Sequence, residues 1–349
     1  MQPNLNDLQI YAIEEFVEHY QERLIPRREL IRRVLPMVGG LAATATLLTQ
    51  LGCAATPAQV PTVVATSSPP LAPTATPMPT ASAAATSIPT PSVAAVPLST
   101  APPTTPAAGN GSRSKYSVPA DDPSITAADV SFPGEGATIL GYLAQPKAGG
   151  PVPAVLVCHE IFGLTEHIRD VTRRLARAGY VGLAVDLLSR DGGTAKVDSS
   201  QTGARLTADP GQKVADFQAG LRYLQTLAVV AKGSSGMIGF CYGGGITWLA
   251  ATAIPELKAA VPFYGTNPPL ADVPKINAAV LAIYGGNDTR VDAGIPAIEA
   301  AMQQNHKIFE KQVYAGANHA FHNDTGPSWN EQAAYDAWAK TLDWLKKYL

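Results

Sequence analysis

Gly236-Met237-Ile238-Gly239-Phe240-Cys241-Tyr242-Gly243-Gly244-Gly245 decides how the rest of the chain is read. Met237-Ile238 ends a short apolar run that suits a buried strand. Gly239-Phe240-Cys241-Tyr242-Gly243 is G-x-C-x-G, the thiol form of the G-x-S-x-G turn. An apolar helix over Ile246 to Ala253 is predicted to follow at once. Strand, sharp turn and helix are the context that such a nucleophile turn requires. The turn pushes the Cys241 side chain out at the C-terminal edge of a sheet. The first free N–H groups of the helix then point to the same place. A thiol near that positive dipole end is favoured as thiolate. The same letters also suit a buried structural cysteine in a Gly-rich strand–helix turn.

Outward from this stretch, strand and helix patterns alternate. Asp129–Phe132 and Thr138–Ala144 read as an early hairpin at one sheet edge. Ala154–Cys158 is a continuous apolar run, hence a central strand. Thr165–Ala178 is predicted as an amphipathic helix with Ile168, Val171, Leu175 and Ala178 inward, closed by Gly179. Further strands are predicted at Val181–Val185, Ser234–Gly239, Ala259–Phe263, Ala279–Tyr284 and Lys307–Val313. Further helices are predicted at Asp209–Leu227, Ala293–Gln304 and Trp329–Tyr348. Such alternation implies an α/β fold, a mostly parallel central sheet with helices on both faces. Its span, 113–349, suits one domain.

The chain ahead of it reads differently. Asn4 to Leu24 has helical spacing, with Ile10, Ile13, Val17, Tyr20 and Leu24 on one side. Pro26-Arg27-Arg28-Glu29-Leu30-Ile31-Arg32-Arg33 then precedes a mild apolar run, Val34 to Leu51. A basic segment before such a run reads as a targeting segment, and paired arginines resemble a twin-arginine export signal. Leu51-Gly52-Cys53-Ala54 resembles the end of a bacterial lipoprotein signal, which would be cut before Cys53 and lipidated there. Gln50 departs from that motif, and an uncleaved signal anchor is the alternative. Residues 1–53 are therefore expected to be an export segment, leaving the protein outside the cytoplasm and tethered to the bacterial cell membrane. Residues 54–112 are almost entirely Ala, Pro, Thr, Ser and Val. They are expected to form a disordered stalk, about 3 Å long per residue where it is polyproline II.

Bulk properties exclude several classes. The chain has 349 residues and a net charge of −2, with no basic block in its C-terminal two thirds, so no nucleic acid is expected as partner. Cys53, Cys158 and Cys241 are too scattered for a disulfide framework or a zinc site. His159-Glu160 with His167 lacks the spacing of a zinc hydrolase helix, and no phosphate-cradling loop fits. No metal and no cofactor is expected.

A cysteine nucleophile needs a base, and the base a group that fixes its tautomer. On this fold the order is nucleophile, acid, histidine. Asp288 follows the Ala279–Tyr284 strand and His319 follows the next one, so both sit just past strand ends. Asp292 competes as the acid but suits a helix cap better. His306 lies at the wrong edge, and His322 can only support the site. Two backbone N–H groups should hold the oxyanion: Tyr242, just after the nucleophile, and Ile161, in the loop after the Ala154–Cys158 strand. Glu160 in that loop is either a carboxylate near the thiol or an exposed loop acid. Cys158 and His159 read as structural.

His159-Glu160-Ile161-Phe162-Gly163, Gly239-Phe240-Cys241-Tyr242-Gly243-Gly244, Gly286-Asn287-Asp288 and Gly316-Ala317-Asn318-His319-Ala320-Phe321 together resemble the dienelactone hydrolase family, the cysteine branch of the α/β-hydrolase fold. The resemblance covers about Ile125 to Leu349. It implies a Cys241–His319–Asp288 triad, and a Glu160 that holds the resting thiol and accepts its proton when substrate binds. It also implies hydrolysis of a carboxylic ester or lactone through a thioester. Founding members carry an arginine four residues after the histidine, which clamps the substrate carboxylate. Here that position is Asn323, which puts dienelactone itself in doubt as substrate. Arg205 or Arg190, in the long loop from Ser189 to Ala208, is the candidate replacement.

The leading expectation is thus an exported, membrane-tethered ester or lactone hydrolase acting on a small molecule. A non-catalytic binding domain displayed on a stalk is the alternative from another class, and a thiol acyltransferase or peptidase on the same fold is a third, since fold alone does not set substrate.

Overall fold

The computed structural model describes residues 5–21, 23–53 and 114–349. The expected stalk at 54–112 lies outside the described residues. Chain order begins with three helices, α1 (Asp7–Gln21), α2 (Arg27–Val38) and α3 (Leu41–Gln50). The sheet and its helices follow: β1 (Ile125–Gly134), β2 (Ala137–Pro146), β3 (Val152–Cys158), α4 (Glu166–Arg177) and β4 (Val181–Val185). Next come α5 (Thr202–Thr207), α6 (Pro210–Leu224), β5 (Val230–Phe240), α7 (Tyr242–Ala253) and β6 (Ala259–Phe263). The chain closes with β7 (Ala279–Gly285), α8 (Thr289–Asp292), α9 (Ile295–Gln304), β8 (Phe309–Tyr314) and α10 (Glu331–Tyr348).

The strands form one eight-stranded sheet in the order β1-β2-β4-β3-β5-β6-β7-β8. β1 and β2 make the expected antiparallel hairpin at one edge, and β2 meets β4 antiparallel. From β4 onward every pairing is parallel. The central strands β3, β4, β6 and β7 are apolar almost throughout and buried, as strands covered on both faces must be. α6 begins where Asp209 accepts a hydrogen bond from the Gln212 amide at 3.0 Å and Pro210 takes the first helical position. α5, inside the loop expected from Ser189 to Ala208, has too few residues to show a period and was not anticipated.

The helices ahead of residue 54 belong to the same compact unit as the sheet. α1 packs on α2, α5 and α7 and buries Leu8, Tyr11, Ala12, Ile13, Glu15, Phe16 and Val17. Of the residues that helical spacing puts on one side, Ile10 is 42% exposed and Leu24 is 40% exposed. The buried face is thus turned from the aliphatic stripe toward one that includes a tyrosine and a glutamate. A purely apolar count misses that face because it scores Tyr11 and Glu15 as outward. α2 and α3 follow it, with Leu30, Val34 and Leu48 buried and Arg32 bonded to Asp198 at 2.7 Å. No single described helix is long and apolar enough to cross a membrane; α2 and α3 together reach the required length only across a 113° bend.

Candidate active site

β3 and β5 are parallel neighbours, with Cys158 opposite Gly239. The loop after β3 and the turn after β5 therefore leave the sheet side by side. Close backbone approach holds them there. A Cβ on Gly239 would lie 2.2 Å from the Gly243 carbonyl oxygen, and one on Gly243 would lie 2.5 Å from the His159 carbonyl oxygen. Only glycine leaves room at either place. Between them Cys241 takes φ 57° and ψ −124°, a conformation that costs a non-glycine residue on the order of 1–3 kcal/mol. Cys241 immediately precedes α7, so the Tyr242 N–H is among those the helix itself cannot satisfy. Ile161 is fully buried in the adjoining turn after β3.

The loops after β7 and β8 supply the partners. Asp288 Oδ2 lies 2.5 Å from His319 Nδ1, and Asp288 Oδ1 also accepts from the Val291 amide at 3.2 Å. The Nε2 side of the ring faces Cys241, with the sulfur, Nε2 and a Glu15 oxygen all within 4.8 Å of one another. Asp288 is the acid on the histidine. Asp292 is not; its carboxyl is pushed up to about 6 by burial and by Asp288 beside it. Tyr264, with φ 38°, sets its ring edge-on at 4.9 Å from the His319 ring.

Glu160 is buried, and both its oxygens accept from Asn323 Nδ2 at 3.1 Å. Thr325 fixes that amide by donating to Asn323 Oδ1 from its backbone N–H at 3.0 Å and its hydroxyl at 2.7 Å. Burial holds the Glu160 carboxyl above its usual range, against the pull of His167, Asn323 and His319. Asn323, offered from sequence as a substrate contact, thus spends its amide donor on the carboxylate. Both residues line a cavity of about 330 Å³ that reaches Cys241. Arg205 does not: its side chain is 56% exposed and lies 3.4 Å from Asp191. Arg190 is bonded to Asp216 at 2.8 Å. The loop bearing both arginines packs on α1, α2 and α6, and the cavity is lined by other residues. Cys53 is buried, with its sulfur 3.9 Å from the Leu51 carbonyl.

Histidines and the remaining thiol fall as read. His159 accepts at Nε2 from the Leu187 amide at 3.1 Å and contacts the Glu160 carbonyl at 2.7 Å through Nδ1, so it braces the loop. Cys158 is buried, which pushes its thiol far up and leaves it inert. His322 stacks on Phe240 at 5.1 Å, and burial keeps it neutral. A larger cavity of about 580 Å³ lies at the opposite edge, beside Arg222, Gly233 and Glu256. It sits at the start of β5 rather than at the strands' carboxyl ends, where α/β sheets bind ligands.

Sequence reasoning missed the residues that arrive from α1. The Tyr11 hydroxyl is 3.4 Å from Cys241 Sγ and 3.3 Å from His319 Nε2. Glu15 Oε2 is 3.4 Å from His319 Nε2 and 2.6 Å from an Arg290 nitrogen. Burial alone would push Glu15 up; His319, Arg290 and His19 outweigh it and hold the carboxyl below its usual range. Burial would push His319 down, but Glu15 and then Asp288 raise it well above the ordinary histidine value. Burial and Glu15 raise the Cys241 thiol, while His319 and Tyr11 pull it down. Glu15, Cys241 and His319 are also the described residues whose donor atoms cluster closely enough for a metal ion. A dication there would compete with Arg290 for the carboxylate and with a proton for Nε2.

Residues 139–349 match the Dienelactone hydrolase family. The chain belongs to that family. Provisionally named carboxymethylenebutenolidases are similar to it: one from Methylorubrum extorquens is 37% identical over 242 residues, 64% of this chain and 82% of the relative. One from Synechocystis is 38% identical over 231 residues, 60% of this chain and 92% of the relative. Among solved structures, a dienelactone hydrolase assignment from Klebsiella pneumoniae subsp. pneumoniae superposes with a TM-score of 0.60 at 34% identity, covering 64% of this chain and 99% of that one. The eight-stranded sheet is accordingly an α/β-hydrolase fold, and the chain is a hydrolase of the dienelactone hydrolase type.

Proposed function

We propose that this dienelactone hydrolase relative cleaves a small carboxylic ester or lactone through a Cys241–His319–Asp288 triad. The observation that carries the reading is His319, held by Asp288 on Nδ1 and turned toward Cys241 on the other side. On substrate entry the Cys241 thiol loses its proton to Glu160, His319 being already protonated, and the sulfur bonds to the substrate carbonyl carbon. The resulting oxyanion is received by the Ile161 and Tyr242 N–H groups. As the tetrahedral intermediate collapses, the carbonyl–oxygen bond breaks and the imidazolium proton passes to the leaving alkoxide. A thioester remains. Neutral His319 then takes a proton from water, the hydroxide attacks the thioester, and the carboxylic acid leaves as the sulfur regains its proton. Glu160, on the wall of the same cavity, is suited to accept the thiol proton on substrate entry. In the resting state its oxygens are occupied by Asn323.

Cys241→Ala in the full chain tests the reading with p-nitrophenyl acetate and dienelactone side by side. We expect hydrolysis to fall by at least about 10³. Equal rates in both proteins would overturn the reading in favour of a binding domain. Acyl transfer to an added amine outrunning hydrolysis would replace it with an acyltransferase.

We also propose that residues 1–53 direct export to the cell envelope and are kept afterwards. The paired Arg27-Arg28 ahead of a mild apolar run supports the address. The burial of α1 against the site supports retention. Fractionation with intact mass tests both: a chain in the envelope that still carries its N-terminal residues is expected. A cytoplasmic chain would overturn export, and one that starts at Cys53 would overturn retention.

A further inference from the structure

α1 is not a bystander on the surface of the domain. It carries Tyr11 and Glu15, both buried, to the two atoms on which the proposed chemistry turns. Arg290 fastens them. It stands in α8, two residues after Asp288, bonds to Glu15 at 2.6 Å, approaches Glu18 at 3.4 Å and lies 4.4 Å over the Tyr11 ring. The clamp on α1 and the acid on His319 therefore belong to one short loop. The cavity that reaches Cys241 is walled on one side by Glu15 and His19 of α1 with Leu24, Ile25 and Arg33, and on the other by Glu160 and Asn323. With α1 docked, the nucleophile is still open to that cavity. A helix that only plugged the site would leave no such opening.

We infer that the N-terminal helix is a working wall of the active site: Tyr11 holds the resting thiol, and Glu15 is a positioning residue that acts through His319. Tyr11 stands where the family resemblance places the glutamate. Glu160 is engaged by Asn323, and the Tyr11 hydroxyl donates to the sulfur instead. A protonated Nε2 finds Tyr11 oxygen at 3.3 Å and Glu15 at 3.4 Å, so the ring is oriented before substrate arrives. The groups facing His319 are Glu15 and Tyr11 from α1, Asp288 from the β7 loop, Cys241 from the turn, and Tyr264 from the β6 loop. Arg290 and Glu18 stand one layer out, and Glu160 acts across the cavity. Glu15 opposes thiolate formation and Tyr11 favours it, so removing each should have opposite signs.

The inference rests on Cys241 as nucleophile, and its test is read without turnover. Full-length wild type, Glu15→Gln and Tyr11→Phe are treated with iodoacetamide across pH, and alkylation of Cys241 is separated from that of Cys53 and Cys158 by mass spectrometry. Glu15→Gln is expected to lower the pH midpoint by about one unit, roughly tenfold faster alkylation on the acid side. Tyr11→Phe is expected to raise the midpoint. Glu15→Asp, which keeps the charge, should restore the wild-type midpoint and guards against a folding artefact. Midpoints equal to wild type in both variants would overturn the inference, even if melting temperature dropped, since a merely structural helix moves stability and not the midpoint. Shifted midpoints with no ester hydrolysis in any protein would sustain the wall and remove the hydrolase reading instead.

Discussion

The turn at Cys241 and the helix α1 meet at one sulfur atom, yet they are made in opposite ways. The turn is local: strand, glycines, cysteine and helix are consecutive, and Gly239 and Gly243 are required by backbone atoms within a few residues or at the end of the neighbouring strand. α1 is remote. Tyr11 lies 230 positions before Cys241 and 308 before His319 in sequence. Its place depends on packing and on one arginine clamp. Chemistry built by the local backbone announces itself in a motif. Chemistry borrowed across the chain is written only in the partner surfaces.

The largest effect should come from breaking the local half. Gly239→Ala would place a Cβ 2.2 Å from the Gly243 carbonyl oxygen and 2.3 Å from Thr247 Oγ1, where neither backbone nor helix can yield cheaply. Overpacking of this kind costs about 1–3 kcal/mol and occasionally more. The shift would also displace Cys241 from its unusual backbone conformation. Urea unfolding should show the loss, and ester hydrolysis should fall to background. Wild-type stability and rate in this variant would mean that the turn is far more pliable than its contacts say.

The acid sharpens the comparison. Asp288→Asn keeps the shape but removes the charge that holds the His319 tautomer, and kcat should drop on the order of 10³ or more. Asp292→Asn should change kcat less than about threefold, because Asp292 lies outside the contacts to His319. Steady-state hydrolysis by the two variants decides between them; equal losses would void the assignment.

That pair also shows what could be read from the letters. The placement of Asp288 and His319 was legible because each follows the end of a strand, and the apolar runs mark those ends. Strand positions were legible for the same reason, to within a few residues. Arg205 or Arg190, in the loop from Ser189 to Ala208, reads from the letters as a substrate contact. In the structure Arg190 and Arg205 turn to Asp216 and Asp191, acids whose proximity no spacing reveals. Asn323 was legible as a departure but not as the partner of Glu160, since hydrogen bonds between loops depend on side-chain direction. The first helix was legible as amphipathic, and its burial was not. Its inward face carries Tyr11 and Glu15, which read as solvent residues until Arg290 and His319 are seen to meet them.

The smallest effect tests the remote half by pH. Docking of α1 is linked to protons through Glu15, His319 and Cys241. The docked Glu15 carboxyl lies below its usual range, so its contribution is present above the undocked value, about 4.3, and is lost as pH falls through the docked one. Docked His319 lies above its usual range, so its contribution is full below the undocked value, near 6.5 or higher because Asp288 remains, and is lost as pH rises through the docked one. The raised Cys241 thiol acts in the same direction as His319. Docking should therefore be firmest between the two undocked values and loosen toward alkali, by up to about tenfold per pH unit for one linked proton. Deuterium exchange of the α1 amides, corrected for intrinsic rates, reads this directly. The β5 amides beneath the turn should stay protected across the same range, because the local half of the site is held by backbone packing. Protection of α1 that stays flat from about pH 5 to about pH 9 would mean that apolar contacts alone dock the helix. The charged triangle of Glu15, Arg290 and His319 would then orient the ring without holding the wall.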